Sequence, residues 1–181
     1  SGYAAQLEHF VPRLVACGYH VVALDLPAHG QSPGERATLP WLAEVLVSIG
    51  RKLQPVAVIA HSFGGAVTGL AVARGLKLER AVLFASPVEM SSWAYKFGAA
   101  NGLSTGRIEA MVRLIEAEVG PLEALDFVRL APTLKLPALL IHDRDDREVP
   151  VTSSERLSAA LPGARLLTTE GLGHSRPLRT P

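Results

Sequence analysis

Three residue types that together activate an oxygen nucleophile stand in order along this chain. They are Ser62 within IAHSFGG (59–65), the carboxylates Asp143, Asp145 and Asp146 within LLIHDRDDREVP (139–150), and His174 within EGLGHSRP (170–177). A serine hydroxyl attacks a carbonyl when an imidazole takes its proton, and a carboxylate holds that imidazole in the working tautomer. Each residue also has a simpler role. A serine between a strand and a helix is a good N-cap, and acidic residues or a histidine in a loop suit plain solvation. A sharp strand-to-helix turn would expose the serine oxygen and aim the next amide, Phe63 N–H, out of the positive helix end, where it can hold an oxyanion. Ala60, Gly64 and Gly65 are small enough for such a turn and for close packing behind it.

Positioning these groups requires a scaffold, and the apolar runs supply one. Strands are expected at Tyr19 to Leu24, Pro55 to Ala60, Arg80 to Ala85, Leu136 to His142 and Ala164 to Thr168. Their β-rich composition without strict alternation suits strands buried on both faces, and the helical patterns between them imply an α/β protein with a mostly parallel sheet flanked by helices. The first helix carries Leu7, Phe10, Val11, Leu14 and Val15 and ends before Gly18. Pro12 requires that helix to kink or to begin near Val11. Further helices are expected over Leu39 to Leu53, Ser62 to Ala73, Ile108 to Val119 and Ser153 to Leu161. Residues 87–135 interrupt the strand-helix alternation, and an excursion at a strand's carboxyl end suits a cap over a ligand crevice.

The 181 residues fit a single domain, with 87–135 inserted in it. With 18 Lys and Arg scattered against 17 Asp and Glu, the net charge of +1 gives no basic stripe for nucleic acid or an anionic membrane, so a small molecule is the expected partner. The longest apolar region, Pro55 to Val72, is broken by His61, Ser62 and glycines and reads as strand, turn and helix rather than a membrane span. The single cysteine, Cys17, excludes an internal disulfide framework and has apolar neighbours, so a core thiol is expected. The chain begins with Ser1 rather than Met. A cytoplasmic location and a truncated N-terminus are the working expectations, and a homo-oligomer is left open.

Four segments in order resemble the α/β-hydrolase-fold serine hydrolases. VVALDLPAHGQSPG (21–34) resembles their DxPGxGxS turn, with Ala28 where glycine is common. AHSFGG resembles the nucleophile elbow GxSxGG, with Ala60 for its first glycine, and GLGHSRP resembles their GxGH segment. IHDRDDREVP resembles HGxxDxxVP, and aligning Val149-Pro150 puts Asp146 on the family's acid, with Asp143 and Asp145 as alternatives. The resemblance implies an esterase-like hydrolase with Ser62, Asp146 and His174 as its triad, Phe63 N–H at the oxyanion and Met90, Trp93, Tyr95 and Phe97 lining an acyl pocket under the cap. It implies no metal or organic cofactor and a small ester as substrate. Asp25 and His29 are expected to tie their turn, and His61 to pack or hydrogen-bond locally.

The resemblance also implies a further strand, between the one at 19–24 and the one at 55–60, ending in a loop that supplies a second oxyanion donor. Nothing in these residues supplies it. A longer natural chain, a partner chain, or direct closure of the two flanking strands would each answer the gap. Acyl transfer or peroxide-forming chemistry by the same triad, and a catalytically silent binding protein, are the rival functions.

Overall fold

A computed structural model describes residues 3–179 of the chain. Four strands, β1 (Ala57–His61), β2 (Arg80–Phe84), β3 (Ala138–Asp143) and β4 (Ala164–Thr169), form one sheet in the order β1-β2-β3-β4. Every neighbouring pair is parallel, with Ile59 opposite Val82, Leu83 opposite Leu140 and Ile141 opposite Leu167. Parallel neighbours need crossovers, and these are helical: α3 (Phe63–Ala73) follows β1, and α7 (Thr152–Ala160) follows β3. Carboxyl ends of all four strands therefore meet at one edge, where Ser62, residues 143–146 and the loop after β4 lie.

Residues 87–135 form a helical excursion between β2 and β3, with α4 (Met90–Ala100), α5 (Thr105–Val119) and the short α6 (Phe127–Leu130). Its apolar residues Met90, Ala94, Ile108, Val112 and Leu122 share one core cluster with Leu42, Val47, Val67 and Leu70 of α2 (Leu39–Leu53) and α3. The excursion is thus packed into the body of the protein. Asp126 fixes its entry: this buried carboxylate accepts the Met90 N–H at 2.7 Å, and burial raises its pKa. Among the described residues no helix is long and apolar enough to cross a membrane.

Two N-terminal expectations are corrected, the strand at 19–24 and the core placement of Cys17. The run at 19–24 is no strand: it makes no sheet pairing, and among the described residues no backbone hydrogen bond involves residues 20–24. Tyr19, Val22 and Leu24 are exposed, and so is Val56 just before β1. The flanking strands therefore do not close directly on each other. High β propensity expresses a fit to a pleated, half-buried surface, and no neighbouring strand offers that surface here. The preceding helix is split, with a 3-10 segment over Ala4–Phe10 and α1 (Val11–Ala16) starting at Val11 so that Pro12 falls in its first turn. Neither part has a buried residue, and Cys17, expected in the core, is exposed at the end of α1.

The turn after this run is well tied. Asp25 accepts N–H groups from Ala4 at 2.7 Å and Gln31 at 2.9 Å, its carbonyl takes the Ser32 hydroxyl at 2.7 Å, and His29 Nδ1 meets the Pro27 carbonyl at 2.9 Å. Ala28 sits at φ 61°, a left-handed conformation that glycine adopts without strain.

Because exchange follows local opening, amides of residues 20–24 are expected to exchange with deuterium at nearly unprotected rates under conditions where those of β2 and β3 stay protected. Protection of 20–24 equal to that of β2 would show a paired strand and overturn this description.

Candidate active site

Ser62 lies between the end of β1 and the start of α3 with φ 53° and ψ −128°, a strained conformation for a residue with a side chain. Such strain costs on the order of 1–3 kcal/mol and persists only where the surroundings enforce it. Here Ser62 N–H donates to the Phe84 carbonyl at 2.8 Å, and Gly65 N–H donates to the Ser62 carbonyl at 2.9 Å. The turn is pressed against the segment that follows β2: a Cβ at Gly65 would collide with the Ser86 side chain, whereas one at Gly64 would meet Ala60 at an ordinary 3.7 Å. The Ser62 side chain makes no capping hydrogen bond to α3, so the simple N-cap role does not occupy the hydroxyl. Phe63 opens α3, and its N–H is one of the first-turn donors that have no intrahelical acceptor.

The three carboxylates after β3 take distinct roles. Asp146 Oδ2 lies 2.7 Å from His174 Nδ1, while its Oδ1 accepts the Glu148 and Val149 amides at 2.8 and 2.9 Å. Asp143 turns to the loop that carries His174. Its carboxylate accepts Leu172 N–H, Gly173 N–H, Asp145 N–H and the Thr169 hydroxyl at 2.7–3.0 Å. Asp145 accepts Gly171 N–H at 2.8 Å. For both buried groups burial raises the pKa and the donors overcome it. His142, His174 and the Val149 amide hold Asp146 well below the usual carboxylate range, and Thr169 with the Gly173 and Leu172 amides lowers Asp143.

His174 is also held from the elbow side. His61 Nε2 donates to the His174 carbonyl at 3.0 Å, and the two rings lie 4.7 Å apart. Burial lowers the His61 pKa, which favours the neutral donor form. Expected to pack or hydrogen-bond locally, His61 instead reaches across to the loop that carries His174. Among the described residues no hydrogen bond joins Ser62 to His174, whose Nε2 lies 3.9 Å from the Glu148 carboxylate. His174 and Asp146 line an open cleft of about 600 Å³ whose rim carries Arg144, Arg147, Glu148 and Arg176.

Of the four residues expected around an acyl group, two reach the elbow in a stack. Phe63 packs on Trp93 at 5.9 Å and Trp93 on Phe97 at 5.3 Å, with Phe97 half exposed. Met90 is instead buried in the core, and Tyr95 is exposed. Two residues along a helix turn the side chain to nearly the opposite face, which separates Tyr95 from Trp93 and Phe97. The loop-clamping role of Asp143 escaped the sequence reading, although its signal was there: a carboxylate ending a strand, opposite the glycine-rich loop of a neighbouring one.

A family model described as "Alpha/beta hydrolase family" matches residues 1–181. The uncharacterized hydrolase YugF of Bacillus subtilis is 27% identical, with 90% of this chain and 76% of that protein covered. Among solved structures, the meta-cleavage product hydrolase of Pseudomonas fluorescens superposes with a TM-score of 0.68 at 18% identity, over 99% of this chain and 82% of that one. A bromoperoxidase from Bacillus anthracis gives a TM-score of 0.67 at 18% identity, over 96% and 81%. At these identities the two structures establish likeness of fold.

The lowered carboxylates make a stability prediction with a definite sign. Asp143 and Asp146 titrate lower in the folded chain than in the unfolded chain, so the unfolded state takes up protons first as pH falls. Their stabilisation is full above the unfolded value of about 3.9 and is lost as pH drops from there toward the folded values. Urea midpoints measured from pH 7 to pH 3 should fall toward the acid end. The fall should be shallower in Asp146→Asn, and an unchanged slope would contradict the assigned donors.

Proposed function

The chain belongs to the alpha/beta hydrolase family, and from that premise we propose that it is a serine hydrolase cleaving carboxylic esters through an acyl-enzyme on Ser62. The observation that carries the proposal is the 2.7 Å hydrogen bond that His174 Nδ1 donates to Asp146 Oδ2, with the His174 carbonyl held by His61 next to a strained Ser62 whose hydroxyl makes no capping bond to α3.

In this reading Ser62 Oγ attacks the ester carbonyl carbon while His174 Nε2 takes the hydroxyl proton. Phe63 N–H bears the oxyanion, and the C–O bond to the alcohol breaks as His174 returns the proton to the leaving oxygen. Water then attacks the acyl-enzyme by the same steps in reverse roles, releasing the acid and restoring Ser62. Asp146 stays ionised and orients the imidazole. The charge on the oxyanion is the costliest species to hold, and loss of one donor there typically costs on the order of 10²–10³ in kcat.

Residues 87–135 would act as the cap in this reading. The stack of Phe63, Trp93 and Phe97 runs from the elbow into α4 and would offer an apolar wall to the acyl group. A second reading, a silent binding protein of the same fold, is favoured by one observation: the absence, among the described residues, of a hydrogen bond between Ser62 and His174. Transfer to an alcohol, thiol or peroxide would use the same acyl-enzyme.

Treatment with a fluorophosphonate followed by intact mass should show one covalent addition to the wild type, none to Ser62→Ala, and strongly slowed addition to His174→Ala. No addition to folded wild-type protein would favour the silent reading. Product analysis with p-nitrophenyl butyrate, with and without a competing alcohol, separates hydrolysis from acyl transfer.

A further inference from the structure

The inference that follows rests on the serine-hydrolase reading and concerns a residue that reading does not use. His142, the fifth residue of β3, is completely buried, and so is Ser154 on α7. Both ring nitrogens are engaged. Nδ1 lies 2.7 Å from Ser154 Oγ, and Nε2 lies 2.9 Å from the Val149 carbonyl and 3.3 Å from Asp146 Oδ2. A carbonyl can only accept, so Nε2 carries a proton; in the neutral ring Nδ1 is then an acceptor and the Ser154 hydroxyl donates to it. The same Nε2–H faces Asp146 Oδ2, the oxygen that receives His174 Nδ1 at 2.7 Å.

Asp146 therefore has two imidazoles on one oxygen and two backbone amides on the other. The amides fix one end of the carboxylate, and His142 fixes the second, so the group cannot rotate away from His174. His142 also draws on the charge of the oxygen that His174 uses. An acceptor shared between two donors stabilises a positive charge on either one less than an acceptor given to one alone.

We propose that His142, locked in one tautomer by Ser154, is a positioning residue that orients Asp146 and sets how strongly Asp146 supports the imidazolium form of His174. Among the described residues, the charged or titratable groups facing His174 are Asp146, Glu148 and His61, with Arg144, Asp145, Arg147 and Arg176 around the cleft. Among the described residues, the charged group paired with His142 is Asp146, and α7 presents the Ser154 hydroxyl to it.

Three variants test this on the full chain, with p-nitrophenyl butyrate turnover and with the proton resonance of the His174 Nδ1–H. His142→Leu is expected to lower kcat about tenfold or more with little change in KM, since a small misplacement of a catalytic group costs rate rather than binding. It should also move the acid limb of kcat/KM to higher pH, because Oδ2 then serves His174 alone. His142→Gln, whose amide can replace the Nε2–H donor, should recover most of kcat and return the limb toward the wild type. Ser154→Ala keeps the ring but frees its tautomer, and should displace both the limb and the resonance by less. If His142→Leu does not fold, Ser154→Ala carries the test.

Wild-type kcat, acid limb and resonance in folded His142→Leu, or in Ser154→Ala where His142→Leu fails to fold, would overturn the proposal while leaving the triad intact. If the wild type neither turns over ester nor takes a fluorophosphonate, the hydrolase reading fails instead. The His174 resonance would then still decide whether His142 acts on Asp146: displacement in the variants supports it, and an unmoved signal overturns it.

Discussion

Two carboxylates buried at the end of one strand constrain everything around them. A carboxylate removed from water must be met by donors on nearly all its acceptor sites, and β3 ends in a loop that buries both Asp143 and Asp146. Asp143 recruits amides from the loop after β4, and Asp146 recruits those of Glu148 and Val149 together with the His174 imidazole. Satisfying the first carboxylate brings the histidine loop across the sheet edge, and satisfying the second gives that histidine its partner. The parallel pairing of β3 with β4 makes this affordable, since it delivers the two loops side by side in register.

The serine side obeys a different constraint. At the turn after β1 the chain reverses into α3 within one residue, and the strain at Ser62 is held by the hydrogen bond to Phe84 and by contact of Gly65 with Ser86. Both partners belong to β2 or its extension. β2 therefore braces the Ser62 turn on one side, while through its pairing with β3 it sets the distance to Asp146. His61 closes the third side by reaching the backbone of His174. The functional edge is thus rigid where side chains and amides converge, and open toward the cleft on the side of the arginines.

Rigidity ends at the outer face of β1. Residues 20–24 have the composition of a buried strand yet make no backbone pairing among the described residues, while the helical segments before them bury no residue. Hydrogen bonding along a strand is satisfied by neighbours or by water, and an extended segment without a neighbour is left to water. The excursion 87–135 behaves in the opposite way. Its helices have apolar faces that find α2 and α3, so they merge into the main core.

Local pattern in the chain carried the α/β class, four of the five expected strands, the helices after β1 and β3, the place of Ser62 at a sharp turn, and the match to the family's segments. Local pattern suffices for these because apolar period, glycine position and caps act within a few residues. The alignment of Val149-Pro150 singled out Asp146, but the work of Asp143 was not legible, since it depends on which amides of a loop some thirty residues away point at its oxygens. Nor could the sequence separate Trp93 and Phe97 from Met90 and Tyr95, which share a helix but face different surroundings. The strand at 19–24 was legible as composition and absent as structure, because pairing is a property of two segments. Burial of His142 between Asp146 and Ser154 was likewise decided only in three dimensions, where β3, its loop and α7 close around one imidazole.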